Sequence, residues 1–255
     1  MSLLSSLLCP PKCISCRERL PYDVKAPFCK TCLDEWETEA EEACGFCGKP
    51  VKDCLCATDL MRRSGVRVLF KLAYYKAGRK TAPNQVLFSM KKRASKRLYS
   101  FLEEALSPKL FAYLQEEKIA LSDCVLVHAP RHRKAAADAG TDQAERLAKG
   151  LSKKLEISYC PAILRKPRKN RTQKELDAKE RVTNAKNAFT LARGVDLTGK
   201  TVFLVDDTVT TGATMATCAK LLKSAGAKRV LSVSVTLDEV GRYPKESALS
   251  TKPYA

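Results

Sequence analysis

The sequence predicts an α/β domain built on a mainly parallel sheet flanked by helices, preceded by a small cysteine-rich module. Three observations carry this. From residue 66 onward, short apolar stretches alternate with amphipathic helical ones, the pattern of parallel strands joined by helical crossovers. Nine of the 12 cysteines lie between Cys9 and Cys56. The charge divides at the same place: residues 1–60 hold 7 Lys/Arg against 10 Asp/Glu, whereas 61–255 carry a net +21 within an overall +18. The division is therefore 1–60, a metal-binding module; 61–240, the α/β domain; and 241–255, a C-terminal extension with two prolines. No Gly/Ser- or Pro-rich linker separates the first two, so the module is expected to pack on the domain. With 45% apolar and 29% charged residues, a packed core is feasible and global disorder is excluded.

The elements follow in order. Residues 66–75, rich in Val, Leu, Phe and Tyr, predict one strand or a bent pair. Residues 84–92 are a short helix. Residues 95–114 place Leu98, Leu102, Leu106, Leu110 and Leu114 at helical spacing, with Pro108 expected to break or kink the helix. Residues 124–127 are a buried strand, and 141–155 a helix with Ala144, Leu147, Ala148 and Leu151 on one face. A short strand at 162–164, a strongly apolar one at 201–205, a helix at 211–225 ending at Gly226 and a strand at 229–236 complete the reading. The longest apolar runs are strand-sized, so no membrane insertion is expected. The N-terminal residues lack a basic n-region and a small-residue cleavage site and are not read as a signal peptide, so the expected location is cytoplasmic.

Cys13-x-x-Cys16 and Cys29-x-x-Cys32, with 12 residues between the pairs, have the spacing of one four-cysteine zinc site. Cys44, Cys47, Cys54 and Cys56 supply four thiolates for a second. Soft thiolates suit zinc, and four of them close its coordination, so both sites read as structural. A disulfide framework, which needs an oxidising compartment, and an iron–sulfur cluster are the alternatives. Cys9, outside the pairs, is the candidate spare; Cys124, Cys160 and Cys218 read as small core residues.

The chemistry concentrates in Val202-Phe-Leu-Val-Asp-Asp-Thr-Val-Thr-Thr-Gly-Ala-Thr214. An apolar strand ends in Asp206 and Asp207, and a helix starts after Thr208, Val209, Thr210, Thr211, Gly212, Ala213 and Thr214. Such a loop can offer successive N–H groups, hydroxyls and a helix N-terminus to a phosphate. It is neither a Walker A loop nor a Gly-x-Gly-x-x-Gly turn. Two carboxylates would repel the phosphate, so they are assigned to the hydroxyls of an attached sugar. Capping explains one Asp and one Thr, but not two acids and four threonines around a glycine.

These residues resemble the phosphoribosyl pyrophosphate (PRPP) motif of type I phosphoribosyltransferases. With the cysteine-rich N-terminus, the resemblance narrows to the ComF (ComFC) family of competence-associated proteins, similar to amidophosphoribosyltransferase, with a double zinc ribbon. His128-Ala-Pro-Arg-His-Arg133, Gly140-Thr-Asp-Gln-Ala-Glu145, Thr172-Gln173, Arg181, Asn184, Ala188-Phe189 and Lys91 or Lys92 fall at the family's other matched stretches. The resemblance implies a type I phosphoribosyltransferase-like fold and PRPP or ribose 5-phosphate with Mg²⁺ as ligands. It further implies Asp206 and Asp207 on the ribose hydroxyls and the 208–214 loop on the 5′-phosphate. Pro130 and Arg131 would meet the pyrophosphate, and a basic hood over 165–181 would close on the substrate. It also implies a role in DNA uptake, beside competence or recombination proteins. The chain departs from the family in the His128-Ala129 stretch, where the first loop proline is replaced, and at Ala139-Gly-Thr-Asp142, where Arg-Gly-Phe-Asn is usual. His128 and His132 are the general-base candidates.

The charge exceeds what a phosphoribosyl donor needs. Residues 61–100 hold 12 Lys/Arg and no acid, and 165–174 add six basic residues. Lys91, Lys92, Arg93, Lys96 and Arg97 are the candidate contacts to single-stranded DNA, with Tyr74, Tyr75, Phe88, Tyr99 and Phe101 as stacking partners or, equally, as core. Two functions result: a phosphoribosyltransferase with an acceptor the residues do not specify, and a non-enzymatic single-strand-binding competence protein that keeps the phosphate cradle as a ligand site.

Overall fold

The computed structural model describes residues 10–92, 95–130, 142–166 and 189–239. In chain order the helices are α1 (Lys30–Ala40), α2 (Asp59–Arg63), α3 (Ala82–Lys92), α4 (Lys96–Glu116), α5 (Gln143–Leu155) and α6 (Ala213–Ser224). The strands are β1 (Leu69–Phe70), β2 (Ala73–Tyr75), β3 (Cys124–His128), β4 (Ser158–Tyr159), β5 (Leu164–Arg165), β6 (Thr190–Leu191), β7 (Thr201–Val205), β8 (Thr208–Val209), β9 (Arg229–Val233) and β10 (Thr236–Asp238).

Five strands form a parallel sheet in the order β1-β9-β7-β3-β4. A second parallel sheet, β2-β10-β8, repeats the order of the first three because each of its strands continues one of them after a two-residue break. The breaks fall at Lys71-Leu72, Ser234-Val235 and Asp206-Asp207. Backbone bonds bridge them: Asp206 N–H to Val233 O at 2.9 Å, Val235 N–H to Asp207 O at 3.2 Å and Leu72 N–H to Val235 O at 3.0 Å. Residues 66–75 are thus the bent pair, and the strand expected through 236 is cut in the same way.

β7 is buried throughout, as a central parallel strand covered on both faces should be. Phe203 and Val205 face one apolar cluster with Leu126, Leu147, Leu151 and the leucines of α4. Val202 and Leu204 face the other, with Met215, Ala219 and Leu222 of α6. Helix α4 runs unbroken through Pro108. Its five leucines are at most 2% exposed, and that packing outweighs the lost backbone bond. Ser95 caps α4 by accepting the Leu98 N–H, and Asp142 caps α5 through the Glu145 N–H, 3.2 Å away.

The cysteine-rich segment shares this core. Cys13, Phe28, Cys32 and Trp36 join the α4 cluster, while Val51, Ala57 and Met61 join the α6 cluster. Phe28 and Trp36 stack at 5.8 Å, and Phe101 of α4 meets both rings edge-on at 5.6 Å. Lys76, after β2, is paired with Glu39 at 2.7 Å and Glu42 at 2.9 Å. Among the described residues, no helix is long and apolar enough to cross a membrane.

Candidate functional site

The sheet order places a crevice between β3 and β7. β3 leads through α5 to β4 on one side, whereas β7 leads through α6 to β9 on the other. Connections that depart in opposite directions leave an opening beyond the carboxyl ends of the two strands, where ligands of open α/β sheets bind. His128 pairs with Val205, and Ala129 N–H donates to Val205 O at 2.9 Å. Pro130 and Asp206 therefore emerge side by side at this edge.

The two acids differ. Asp206 is half-buried and its Oδ1 accepts the Asp207 N–H at 2.8 Å. Asp207 is 2% exposed and its Oδ1 accepts the Thr208 N–H at 2.9 Å. The following loop is held from three sides. β8 pairs with β10, and Thr236 Oγ1 donates to Thr208 Oγ1 at 3.0 Å. Thr211 Oγ1 accepts the Ala213 N–H at 3.4 Å. Thr58 Oγ1, at the start of α2, donates to Thr211 O at 3.0 Å. Gly212 has φ +83°, a left-handed conformation natural to glycine, and turns the chain into α6. Thr210, Thr211 and Ala213 are exposed, so the loop lies open at the helix N-terminus. An open loop at a helix N-terminus with a carboxylate beside it is an arrangement that can receive an anion.

At the neighbouring strand, His128 Nδ1 lies 2.8 Å from Tyr159 Oη. Burial pushes the imidazole below its ordinary value, against the pull of Asp142 and Glu145. Burial, then the same two carboxylates, raises the Tyr159 phenol. Arg131, His132, residues 133–141 and residues 167–188, which include 167–181 of the expected hood, lie outside the described residues.

The eight paired cysteines come together in two groups: Cys13, Cys16, Cys29 and Cys32, and Cys44, Cys47, Cys54 and Cys56, with the sulfurs of each group within 4.8 Å of one another. Zn–S bonds in a tetrahedron separate sulfurs by roughly 3.8 Å, so both groups fit zinc. Cys16 and Cys29 sulfurs are 3.6 Å apart. Burial opposes the Cys13 thiolate, but N–H groups of Cys16, Cys29 and Ser15 outweigh it and bring the thiol down to about 7. Cys124 and Cys218 are core residues, their thiols pushed up by burial to about 11 and about 12. Cys9 lies outside the described residues.

The basic patch is only partly as expected. Lys91, Lys92 and Lys96 are exposed, Arg97 is half-buried, and Arg93 lies outside the described residues. Of the aromatic candidates, Tyr74 and Tyr99 are core, and Phe101 serves the Phe28–Trp36 cluster. Phe88 is 45% exposed with Lys92 Nζ 4.4 Å from its centroid. Three residues near the site escaped the sequence reading: Thr58, Met61 and the buried Lys71. A Thr-Asp pair after the last cysteine signals a helix cap, but nothing local says that it meets a loop 153 residues away.

Comparison with known proteins bears on this geometry. Residues 141–251 match the family described as "Phosphoribosyl transferase domain". Competence protein F of Haemophilus influenzae is 38% identical over 92 residues, 36% of this chain and 40% of that protein. DNA utilization protein YhgH of Escherichia coli K12 is 38% identical over 91 residues, 36% of this chain and 39% of that protein. The matched part thus spans about two fifths of these relatives. A purine phosphoribosyltransferase from Pyrococcus horikoshii aligns with 56% of this chain and 79% of its own at 20% identity and a TM-score of 0.33, too distant to carry an argument. Over about a third of its length the chain is similar to competence protein F and DNA utilization protein YhgH, and its residues 141–251 match the phosphoribosyl transferase domain family.

Proposed function

We propose that this protein binds PRPP or ribose 5-phosphate in the crevice between β3 and β7 and transfers the phosphoribosyl group to an acceptor, in the service of DNA uptake. The observation that carries this is the placement of Asp206 and the 208–214 loop at the switch point of the sheet. The 5′-phosphate lies against the loop amides, the hydroxyls of Thr208, Thr210, Thr211 and Thr214, and the N-terminus of α6. Asp206, half-buried at the carboxyl end of β7, orients the ribose hydroxyls. Asp207, buried on the Thr208 N–H, holds the turn. Pro130 and Arg131 border the pyrophosphate. Magnesium bound with PRPP, for which carboxylate and phosphate oxygens are suitable ligands, would supply charge neutralisation for the leaving pyrophosphate. The chain's own contribution is positioning: sugar and phosphate are fixed while an acceptor approaches C1 from the opposite side. The two zinc sites are structural, and the division at residue 60 separates the part they organise from the α/β part.

The two acids are separable by experiment. Asp206→Asn should weaken PRPP by about tenfold or more while leaving inorganic phosphate within about twofold, the loss expected for charge-assisted bonds to the sugar. Asp207→Asn should lower thermal stability as well as binding. Calorimetric titrations with both ligands check this; equal losses for the two ligands with Asp206→Asn would place the acid elsewhere than on the sugar.

A second reading, single-strand binding with the cradle as a ligand site, is favoured by exposed Phe88 with Lys92 over its ring, by exposed Lys91 on the same helix, and by the names of the relatives. Gln143 Nε2 donates to Met90 O at 3.2 Å, which sets this corner at the start of α5, on the crevice side of the sheet. If about six of the basic residues touch phosphates, affinity for single strands falls roughly a hundredfold to a thousandfold between about 50 and 200 mM salt. Replacing Lys91, Lys92, Arg93, Lys96 and Arg97 by Ala should flatten that slope in an anisotropy titration. Absence of single-strand binding at low salt would leave the small-molecule enzyme alone.

A further inference from the structure

We infer that Thr58 is a positioning residue for the cradle, and that metal in the second cysteine site governs phosphate binding through it. This deepens the cradle reading and rests on it. Thr58 follows the last ligand of that site, Cys56, by two residues and is 4% exposed. Its hydroxyl accepts the Met61 N–H at 3.4 Å, the cap of α2, and donates to Thr211 O at 3.0 Å. In a planar trans peptide the C=O and the next N–H point in opposite directions. Holding the Thr211 carbonyl against Thr58 therefore turns the Gly212 N–H away from α2, to the open side of the loop. Met61, 0% exposed, fills the space behind Gly212 and leaves the loop no room to retreat.

The segment 54–58 is itself clamped between the cysteine site and the sheet. Lys71, 1% exposed at the β1–β2 break, donates to Cys54 O at 2.8 Å, Cys56 O at 3.1 Å and Cys54 Sγ at 3.3 Å. Leu69 N–H donates to Leu55 O at 3.0 Å, and Cys56 bridges Val68. Four thiolates around one Zn²⁺ carry a net double negative charge, and the Lys71 ammonium faces one of these sulfurs. Cys54 and Cys56 bound to metal fix the start of the 57–61 segment, and the caps of α2 carry that position to Thr211.

The test uses the full chain with ribose 5-phosphate and inorganic phosphate as probes. Thr58→Val should bind both about five- to tenfold more weakly, the effect of one hydrogen bond, with two zinc retained; Thr58→Ser should recover to within about twofold. Cys47→Ser removes an exposed ligand, so it leaves no core hole; it should hold one zinc and bind both probes at least about tenfold more weakly. Wild-type affinity in Thr58→Val, or in Cys47→Ser with one zinc lost, overturns the inference. If Cys47→Ser does not fold, the Thr58 pair decides. If the unsubstituted chain binds neither probe, the cradle reading fails, and amide exchange decides the coupling: faster exchange at residues 210–215 in both variants, with β3 unchanged, supports it, and unchanged exchange there overturns it.

Discussion

Gly212→Val is expected to abolish binding of PRPP and ribose 5-phosphate and to lower the melting temperature. The residue sits at φ +83°, and a Cβ there would stand 2.4 Å from Thr58 Oγ1, 2.6 Å from Met61 Cγ and 2.9 Å from Met61 Sδ. Thr58 is bonded on both sides and Met61 is fully buried, so neither can move aside cheaply. A left-handed side-chain-bearing residue costs about 1–2 kcal/mol and overpacking about 1–3 kcal/mol, for a combined destabilisation of about 2–5 kcal/mol. The easier relief is for the loop to shift outward, which closes the cradle; affinity should fall by more than about a hundredfold, as a change of backbone path at a phosphate site implies. Gly212→Ala introduces the same Cβ and should already show most of the loss. Calorimetric titration and thermal denaturation check both variants. Full affinity in a destabilised Gly212→Val would show that the loop does not receive the phosphate.

Removing metal is expected to have the largest effect on stability. Freshly reduced protein should contain about two zinc per chain, one for each four-cysteine group. A structural zinc contributes about 10–16 kcal/mol in zinc-finger peptides, comparable with the whole stability of a domain, about 5–15 kcal/mol. Stripping both ions should therefore unfold the cysteine-rich segment. Trp36, the sole tryptophan, reports this directly: it is 5% exposed between Phe28 and Phe101, and its emission should shift to the red on chelation and return with added zinc. Cys13→Ser, which empties the first site, should give the same shift with one zinc retained. Because Phe101 belongs to α4, the damage will reach the α/β part and not stop at residue 60. Protein that holds no zinc and carries disulfides in its place would overturn the zinc assignment, by metal analysis and thiol titration.

The local elements were legible where side-chain periodicity alone decides them. The i, i+4 leucines of α4 and the apolar run of β7 identify their elements without any partner, since a helix stripe or a doubly covered strand must be buried whatever buries it. Pro108 shows where such reading stops. Its local cost is known from the residue type, but five buried leucines repay it only in the assembled core. A bend within 66–75 was legible as one of two readings, but the breaks in β7–β8 and β9–β10 were hidden for the same reason, because all three align segments far apart in sequence.

The sequence by itself determined the chemistry of this protein: two sets of four thiolates at metal-binding spacing, and a strand, two acids, a hydroxyl-rich loop and a glycine at a helix start. These are local patterns, in which a few neighbouring residues supply all the donors. Only the tertiary structure decided how they are supported. Of the aromatics read equally as stacking partners or as core, it buried Tyr74 and Tyr99, packed half-buried Phe101 against Phe28 and Trp36 and left Phe88 outside, because burial depends on what packs above a side chain. It distinguished open Asp206 from buried Asp207, adjacent residues of one type, because successive residues at a strand end face opposite sides. It also set Thr58 against Thr211 and Lys71 against Cys54, long-range contacts that no local spacing encodes because they arise from packing the cysteine-rich segment on the carboxyl edge of the sheet.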